Sequence, residues 1–135
     1  MPQEHFTCPF SHLILSGRCG CKFSAKDCVA EKEFGSCLDN ETSNLCQSIY
    51  YHLRDNSDFA LKTHNINNLS VGQQSKIKMG GMLALQEIMG IKNGDIIDDI
   101  SYLSNQINTA YPNLKDIPFS RLMPRISQFK FRKKP

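Results

Sequence analysis

The most telling absence in the sequence is that of cysteine from its second part. The chain of 135 residues contains six cysteines, and none of them follows Cys46. Since a random distribution would not end a third of the way along the chain, we interpret the six thiols as one functional set. Sets of cysteines hold a metal ion or an iron–sulfur cluster, form a disulfide framework, or carry redox equivalents.

Long apolar runs and a secretory signal are also lacking. No stretch of about 18 consecutive apolar residues is present, so the sequence offers no candidate for a helix that spans a bilayer. The first ten residues lack the basic region and the following apolar region of a signal peptide. We therefore expect a cytoplasmic protein, and stable disulfides are unusual in that reducing compartment. This expectation favours a metal over a disulfide framework.

Motifs of catalytic sites are missing as well. The sequence contains no G-x-S-x-G, no H-E-x-x-H, no phosphate-binding glycine loop and no C-x-x-C pair. We therefore predict no catalytic residues, and an enzyme is the less favoured class of protein.

The spacing of the cysteines, C-x10-C-x-C-x6-C-x8-C-x8-C, matches no common metal motif. Zinc sites are usually assembled from C-x2-4-C pairs, and the nearest approach is Cys8-x3-His12, which would need His12 as an additional ligand. The C-x2-C-x2-C and C-x4-C-x2-C patterns of ferredoxins are absent too. The candidate ligands are therefore all six cysteines: Cys8, Cys19, Cys21, Cys28, Cys37 and Cys46.

The surroundings of the cysteines favour an iron–sulfur cluster. Glycines lie within two residues of several sulfurs, where the backbone can turn N–H groups toward thiolates. Phenylalanines and basic residues are interspersed, and shielding and positive charge stabilise a cluster held by four thiolates. The leading hypothesis is a small iron–sulfur protein of the 4Fe–4S type that transfers or senses electrons. A zinc-stabilised interaction module is the alternative, a disulfide-stapled secreted protein is the third, and the choice of four ligands stays open.

Hydrophobic periodicity predicts a mainly α fold that begins after the cysteine-rich segment. Residues 1–42 are expected to be dominated by loops, with a short helix from Ser24. The first clear helix is expected at about 43–55, with Thr42 or Ser43 as its N-cap. This boundary places Cys46 in the first turn, where the positive end of the helix dipole would stabilise a thiolate.

Three further segments complete the predicted helical bundle. A helix capped by Ser70 is expected to run to about residue 89, with another element packed against the bare backbone of Gly80 and Gly81. A helix capped by Asp95 should fold back antiparallel after a short link and end before Pro112. A short segment follows at 119–127. We predict one domain, 1–127, in which the cysteine-rich segment 1–42 packs on a small antiparallel helical bundle, 43–127.

Charge is distributed unevenly between the two parts of the chain. Residues 1–70 carry six Lys and Arg against eight Asp and Glu, whereas residues 71–135 carry ten against five. The last residues, 128–135, form a basic tail that contains two phenylalanines. We expect it to bind a protein partner, and nucleic acid is the less favoured partner because basic charge is usually broader on such domains. The predicted partner-binding residues are Arg125, Phe129, Lys130, Phe131, Arg132, Lys133 and Lys134.

Overall fold

A computed structural model describes residues 5–29, 32–57, 69–91 and 95–130, without the side chains of 27–29 and 32–34. The described residues form five α-helices, one 3-10 helix and a small antiparallel sheet, so the prediction of a mainly α fold is confirmed. In chain order the elements are β1 (Phe6–Thr7), α1 (Ser11–Leu15), β2 (Ser24–Val29), β3 (Lys32–Cys37), α2 (Asn40–Asp55), α3 (Val71–Ile88), α4 (Ile100–Ala110), the 3-10 helix Leu114–Asp116 and α5 (Phe119–Gln128). None of the described helices is both long enough and apolar enough to cross a membrane.

The cysteine-rich segment contains more regular structure than its sequence indicates. Its three strands are antiparallel in the order β1-β3-β2, and Cys37 of β3 lies opposite both Phe6 of β1 and Ser24 of β2. The predicted helix from Ser24 is therefore wrong. Pairing with β3 supplies hydrogen bonds to the backbone of β2, and such tertiary pairing overrides a weak local preference for helix.

Helix α2 begins three residues earlier than predicted, because Asp39 is its N-cap. The Asp39 carboxylate accepts hydrogen bonds from the backbone N–H of Thr42 at 2.9 Å and from its hydroxyl at 2.6 Å. Cys46 consequently lies in the second turn of the helix and not in the first. The effect of the helix dipole falls off within the first turn, so it supports a thiolate at Cys46 less than the sequence suggests.

Helix α3 follows its sequence signals closely. Ser70 caps it in a reciprocal capping box with Gln73, at 3.1 and 3.0 Å. In the middle of the helix, a Cβ on Gly80 would lie 2.9 Å from Cα of Ile126 in α5. A Cβ on Gly81 would lie 3.0 Å from the side chain of Leu53 in α2. The expectation of another element against these glycines is confirmed, and the neighbours are two helices.

The helices do not pair in the predicted order. Helix α3 packs chiefly on α5, while α2 contacts both α3 and α4, so α3 and α4 do not form the expected hairpin. The link at 92–94 lies outside the described residues. Asp99, not Asp95, caps α4 and accepts hydrogen bonds from the backbone N–H and hydroxyl of Ser101, at 3.0 and 2.6 Å.

The core extends beyond the predicted end of the domain. Helix α5 is continuous through Pro124, and the next residue after it, Phe129, is 7% exposed and belongs to the buried cluster. Phe129 packs beside Gly80, where its Cβ would lie 3.2 Å from a Cβ on that glycine, so the core includes a residue beyond position 127.

Candidate metal centre

Four of the six cysteines line one small cavity between the sheet and the helices. Cys8 follows β1, Cys21 precedes β2, Cys37 ends β3 and Cys46 lies in α2. Cys37 and Cys46 are each 4% exposed, whereas Cys8 and Cys21 are half-buried. The remaining lining residues are Thr7, Pro9, Ser24, Ser36, Thr42, Ser43 and Ile100. The space between them has a volume of about 10 Å³, which admits about one water molecule.

Backbone contacts of the sheet bring three of these cysteines together. The register places Ser24 opposite Cys37, and a turn bond from Ser24 N–H to the carbonyl of Cys21 at 3.0 Å draws the preceding loop toward β3. The hydroxyl of Ser43 donates to the carbonyl of Thr7 at 2.6 Å. This bond joins α2 to β1, next to Cys8.

The loop that carries Cys21 is held against the start of α4. The backbone N–H of Gly20 donates to the carbonyl of Ile97 at 2.9 Å, and the N–H of Ile100 donates to the carbonyl of Gly20 at 2.8 Å. A Cβ on Gly20 would lie only 2.5 Å from the carbonyl oxygen of Asp98. Only glycine therefore fits where the loop passes Asp98 to deliver Cys21 to the cavity.

Burial favours the protonated form of three of the cavity thiols, those of Cys8, Cys37 and Cys46, in the absence of a ligand. Desolvation raises the pKa of Cys8 to about 11 and that of Cys46 to about 12, and it also raises the pKa of Cys37. Negative charge on Cys21 would raise the pKa of each of these three thiols further, after the larger effect of desolvation. Binding of a metal would therefore have to release protons from this site.

Hydrogen-bond donors around the cavity act in the opposite direction. The hydroxyl of Ser104 lies 3.3 Å from the sulfur of Cys46 and lowers the pKa of that thiol. Backbone hydrogen bonding at Phe10 lowers the pKa of Cys8, and backbone hydrogen bonding at Asp39 and Ser43 lowers that of Cys37. Such groups orient and stabilise thiolates once a metal supplies the larger part of the compensating charge.

The other predicted ligands are Cys19, His12 and Cys28. The first two do not line the cavity, and the side chain of Cys28 is not described. Cys19 is 6% exposed in the helical core, where its sulfur lies 3.6 Å from the sulfur of Met79, and burial raises its pKa to about 12. His12 is exposed on α1 and does not line the cavity. The side chain of Cys28 is not described, although its backbone lies opposite Glu33 in the sheet.

The four thiols share a cavity without yet forming a coordination site. Among the described residues, no disulfide joins the cysteines, and no group of three or more His, Cys, Asp or Glu side chains is arranged to hold a metal ion. Coordination would require the sulfurs to turn toward a common centre. The cavity thus brings four thiols close together. Their geometry as ligands would depend on what bound between them.

Among the predicted partner-binding residues that the structure describes, Arg125 and Phe129 have contacts within the domain. Arg125 makes ion pairs with Glu87 at 3.2 Å and with Asp95 at 2.9 Å, so it joins α5 to α3 and to the segment before α4. Phe129 is 7% exposed and belongs to the buried cluster. Lys130 is exposed. Phe131, Arg132, Lys133 and Lys134 lie outside the described residues.

Comparisons of the chain with protein-family models, with curated proteins and with solved structures gave no match. A functional assignment therefore depends on the chemistry of the four-cysteine cavity.

Proposed function

We propose that Cys8, Cys21, Cys37 and Cys46 bind an iron–sulfur cluster of the 4Fe–4S type, and that the protein transfers or senses electrons. The observation that carries this proposal is the meeting of four thiols from four separate chain segments at one cavity. Four thiolates are a complete ligand set for such a cluster. The sequence alone left six candidates, and the proposal takes the four whose side chains line the cavity.

The surroundings of the four thiols support a redox role. Cys37 and Cys46 are buried, while Cys8 and Cys21 are half-buried, so one side of the site is shielded and the other is near the surface. Exposure and hydrogen bonds to sulfur are two of the properties that set the potential of a cluster. An electron could enter or leave on the side of Cys8 and Cys21. Reduced thiols of this kind agree with a cytoplasmic location.

A protein partner is part of this proposal. The basic tail from Lys130 onward is the segment that we assign to docking, since Arg125 and Phe129 have structural contacts within the domain. Nucleic acid is the less favoured partner for the tail.

A zinc-stabilised interaction module is the second candidate, and the size of the cavity favours it. A volume of about 10 Å³ has room for a single ion, whereas a cluster would require the surrounding loops to move apart. Zinc with four thiolates forms a closed structural site. In that case the metal would join the sheet to α2 and would contribute folding free energy without redox chemistry.

The absorption spectrum of anaerobically purified protein, combined with its iron, sulfide and zinc content, separates these candidates. A brown protein with broad absorption near about 400 nm and with stoichiometric iron and sulfide is the expected result. A colourless protein with one equivalent of zinc would overturn the cluster and support the zinc module. Disulfides detected by mass spectrometry of the non-reduced protein would support the third hypothesis, a disulfide-stapled secreted protein.

Single replacements test the choice of the four ligands. Cys21→Ala should abolish binding of iron, because it removes one thiolate of the cavity. Cys19→Ala is the matched control two residues away, and it should retain iron because Cys19 packs against Met79. Both variants should be compared for iron content and for helical content by circular dichroism. Iron retained in Cys21→Ala but lost in folded Cys19→Ala would contradict the assignment.

A further inference from the structure

The thiols of the cavity have a second chemistry that needs no metal, because neighbouring thiols can be oxidised to a disulfide. The five cysteines whose side chains are described are free thiols. Four of them, Cys8, Cys21, Cys37 and Cys46, line one space of about 10 Å³, which is the volume of about one water molecule. Their positions in the fold distinguish one pair.

Backbone contacts at the end of the sheet bring Cys21 and Cys37 together. The N–H of Ser24 donates to the carbonyl of Cys21 at 3.0 Å and closes a tight turn, and Ser24 lies directly opposite Cys37. The N–H of Leu38, the residue after Cys37, donates to the carbonyl of Phe23 in that turn at 2.8 Å. The ends of such a turn lie within about 7 Å of each other, and opposed Cα atoms are about 5 Å apart. A small movement of the turn therefore brings the two cysteines to the Cα separation of a disulfide, about 4.4–6.8 Å.

The two thiols differ in accessibility, as a stepwise exchange requires. Cys21 is half-buried, so an oxidant from solution can reach it. Cys37 is 4% exposed, and its thiol donates to the carbonyl of Asp39 at 3.2 Å, so it is shielded from direct attack. Desolvation raises the pKa of Cys37, and negative charge at Cys21 adds to this effect, as expected for neighbouring sulfurs.

We propose that Cys21 and Cys37 form a reversible disulfide by exchange with a low-molecular-weight disulfide. The thiolate of Cys21 attacks one sulfur of the small disulfide, the S–S bond of that molecule breaks, and one small thiolate leaves. The thiolate of Cys37 then attacks the sulfur of Cys21 and displaces the second small thiolate. Two protein thiols are oxidised, one small disulfide is reduced to two thiols, and the protons of Cys21 and Cys37 pass to the departing thiolates.

This modification does not depend on the proposed function, since it takes place in the metal-free protein. Failure of the chain to bind iron would leave it standing. If the reduced cavity does bind a metal or a cluster, the disulfide would remove two of the four proposed ligands, so the oxidised and the metal-bound states would exclude each other. An excess of a small thiol reverses the exchange and restores the cavity.

Peptide mapping of the metal-free full-length chain after incubation with oxidised glutathione tests the proposal. The expected product contains a cross-link between the peptides of Cys21 and Cys37, and dithiothreitol should reverse it. Cys37→Ser should stop at the mixed disulfide of glutathione with Cys21, because the second thiol is absent. Cys19→Ser is the matched control, and it should form the cross-link like the unaltered protein because Cys19 packs against Met79. Circular dichroism checks that each variant is folded.

Oxidation through the unfolded chain makes a different prediction. Gly80→Ala crowds the contact between α3 and α5 and leaves every cysteine in place. If the disulfide formed only after unfolding, this variant would oxidise faster and would give several pairs, some of which would include Cys19. Exchange in the folded protein should give the same single pair at a similar rate with and without the substitution.

Three results would overturn the proposal. The first is faster oxidation of Gly80→Ala with mixed pairs. The second is a cross-link from Cys21 to a cysteine other than Cys37 in the unaltered protein. The third is an unaltered protein that remains reduced or stops at the mixed disulfide with glutathione.

Discussion

Two regions of the molecule are packed in different ways. One is the contact between helices α3 and α5, and the other is the four-cysteine cavity. At the helix contact, Gly80 brings two backbones so close that a Cβ would meet Cα of Ile126 at 2.9 Å, and the surrounding side chains are apolar and buried. At the cavity, thiols and hydroxyls surround a small space. Packing alone completes the first region, whereas the second contains thiols whose pKa values are raised by burial.

This difference indicates where the free energy of each region originates. Buried apolar area stabilises the helical core whether or not a metal is present. The cavity holds thiols with raised pKa values, and under the proposed function a metal would have to replace their protons. We therefore expect changes in the helical core to act on the metal-free protein, and changes at the cavity to act mainly through the metal and through pH.

The largest effect is expected for a charge placed in the helical core. Leu103 of α4 is 1% exposed, so Leu103→Asp would bury a carboxylate without a partner and should lower the free energy of unfolding by about 4 kcal/mol or more. Tyr102→Asp is the control, since the neighbouring Tyr102 is 55% exposed. Urea denaturation of the metal-free protein measures both variants. Similar losses in the two would mean that this face of α4 does not support the core.

A smaller effect is expected for a methyl group at the helix contact. Gly80→Ala should lower the free energy of unfolding by about 2 kcal/mol, because backbone atoms of α5 cannot move aside as a flexible side chain would. Gly72→Ala on the same helix is the matched control, since its nearest contact would be the hydroxyl of Ser70 at 4.0 Å. That control should be neutral or more stable by up to about 1 kcal/mol, because alanine favours helix. A stable Gly80→Ala variant would imply a looser contact.

Sequence signals predicted the helical core better than the cavity because those signals are local. The capping box of Ser70 and Gln73 marks the start of α3, and Gly90, with a φ of 76°, follows its end. Both signals involve residues that are close together in sequence. Gly80 and Gly81 indicated a close approach by another element. They could not name that element, because its identity depends on residues far along the chain.

No local feature of the sequence separates the cysteines that line the cavity from Cys19, which lies in the core. Cys19 and Cys21 are two residues apart, yet Cys19 packs against Met79 and Cys21 lines the cavity. The contact between Gly20 and Asp98, distant in sequence, determines the path of this loop. The burial of Phe129 has no local signal either, because its neighbours in sequence are polar or basic, whereas the residue beside it in space is Gly80.

The smallest effect is expected from pH, through buried thiols such as Cys46 at the cavity and Cys19 in the helical core. In the unfolded chain a cysteine loses its proton near pH 9.0, whereas burial raises the pKa of Cys46 to about 12 in the folded protein. The folded state therefore binds more protons than the unfolded state above that pH, and stability present below pH 9.0 is lost as the pH rises toward 12. For one such thiol the loss reaches about 1.4 kcal/mol at about pH 10.

Cys46→Ser isolates this contribution, because serine can keep the hydrogen bond to Ser104 but does not titrate in this range. The free energy of unfolding of metal-free protein, kept reduced, should fall less steeply between about pH 8 and about pH 10 in Cys46→Ser than in the unaltered protein. Gly80→Ala should lower the whole curve without changing its slope, since it leaves every titrating group in place. Equal slopes in Cys46→Ser and the unaltered protein would mean that this thiol is not desolvated by folding. The distinction between a self-sufficient core and a ligand-dependent cavity would then lose its electrostatic basis.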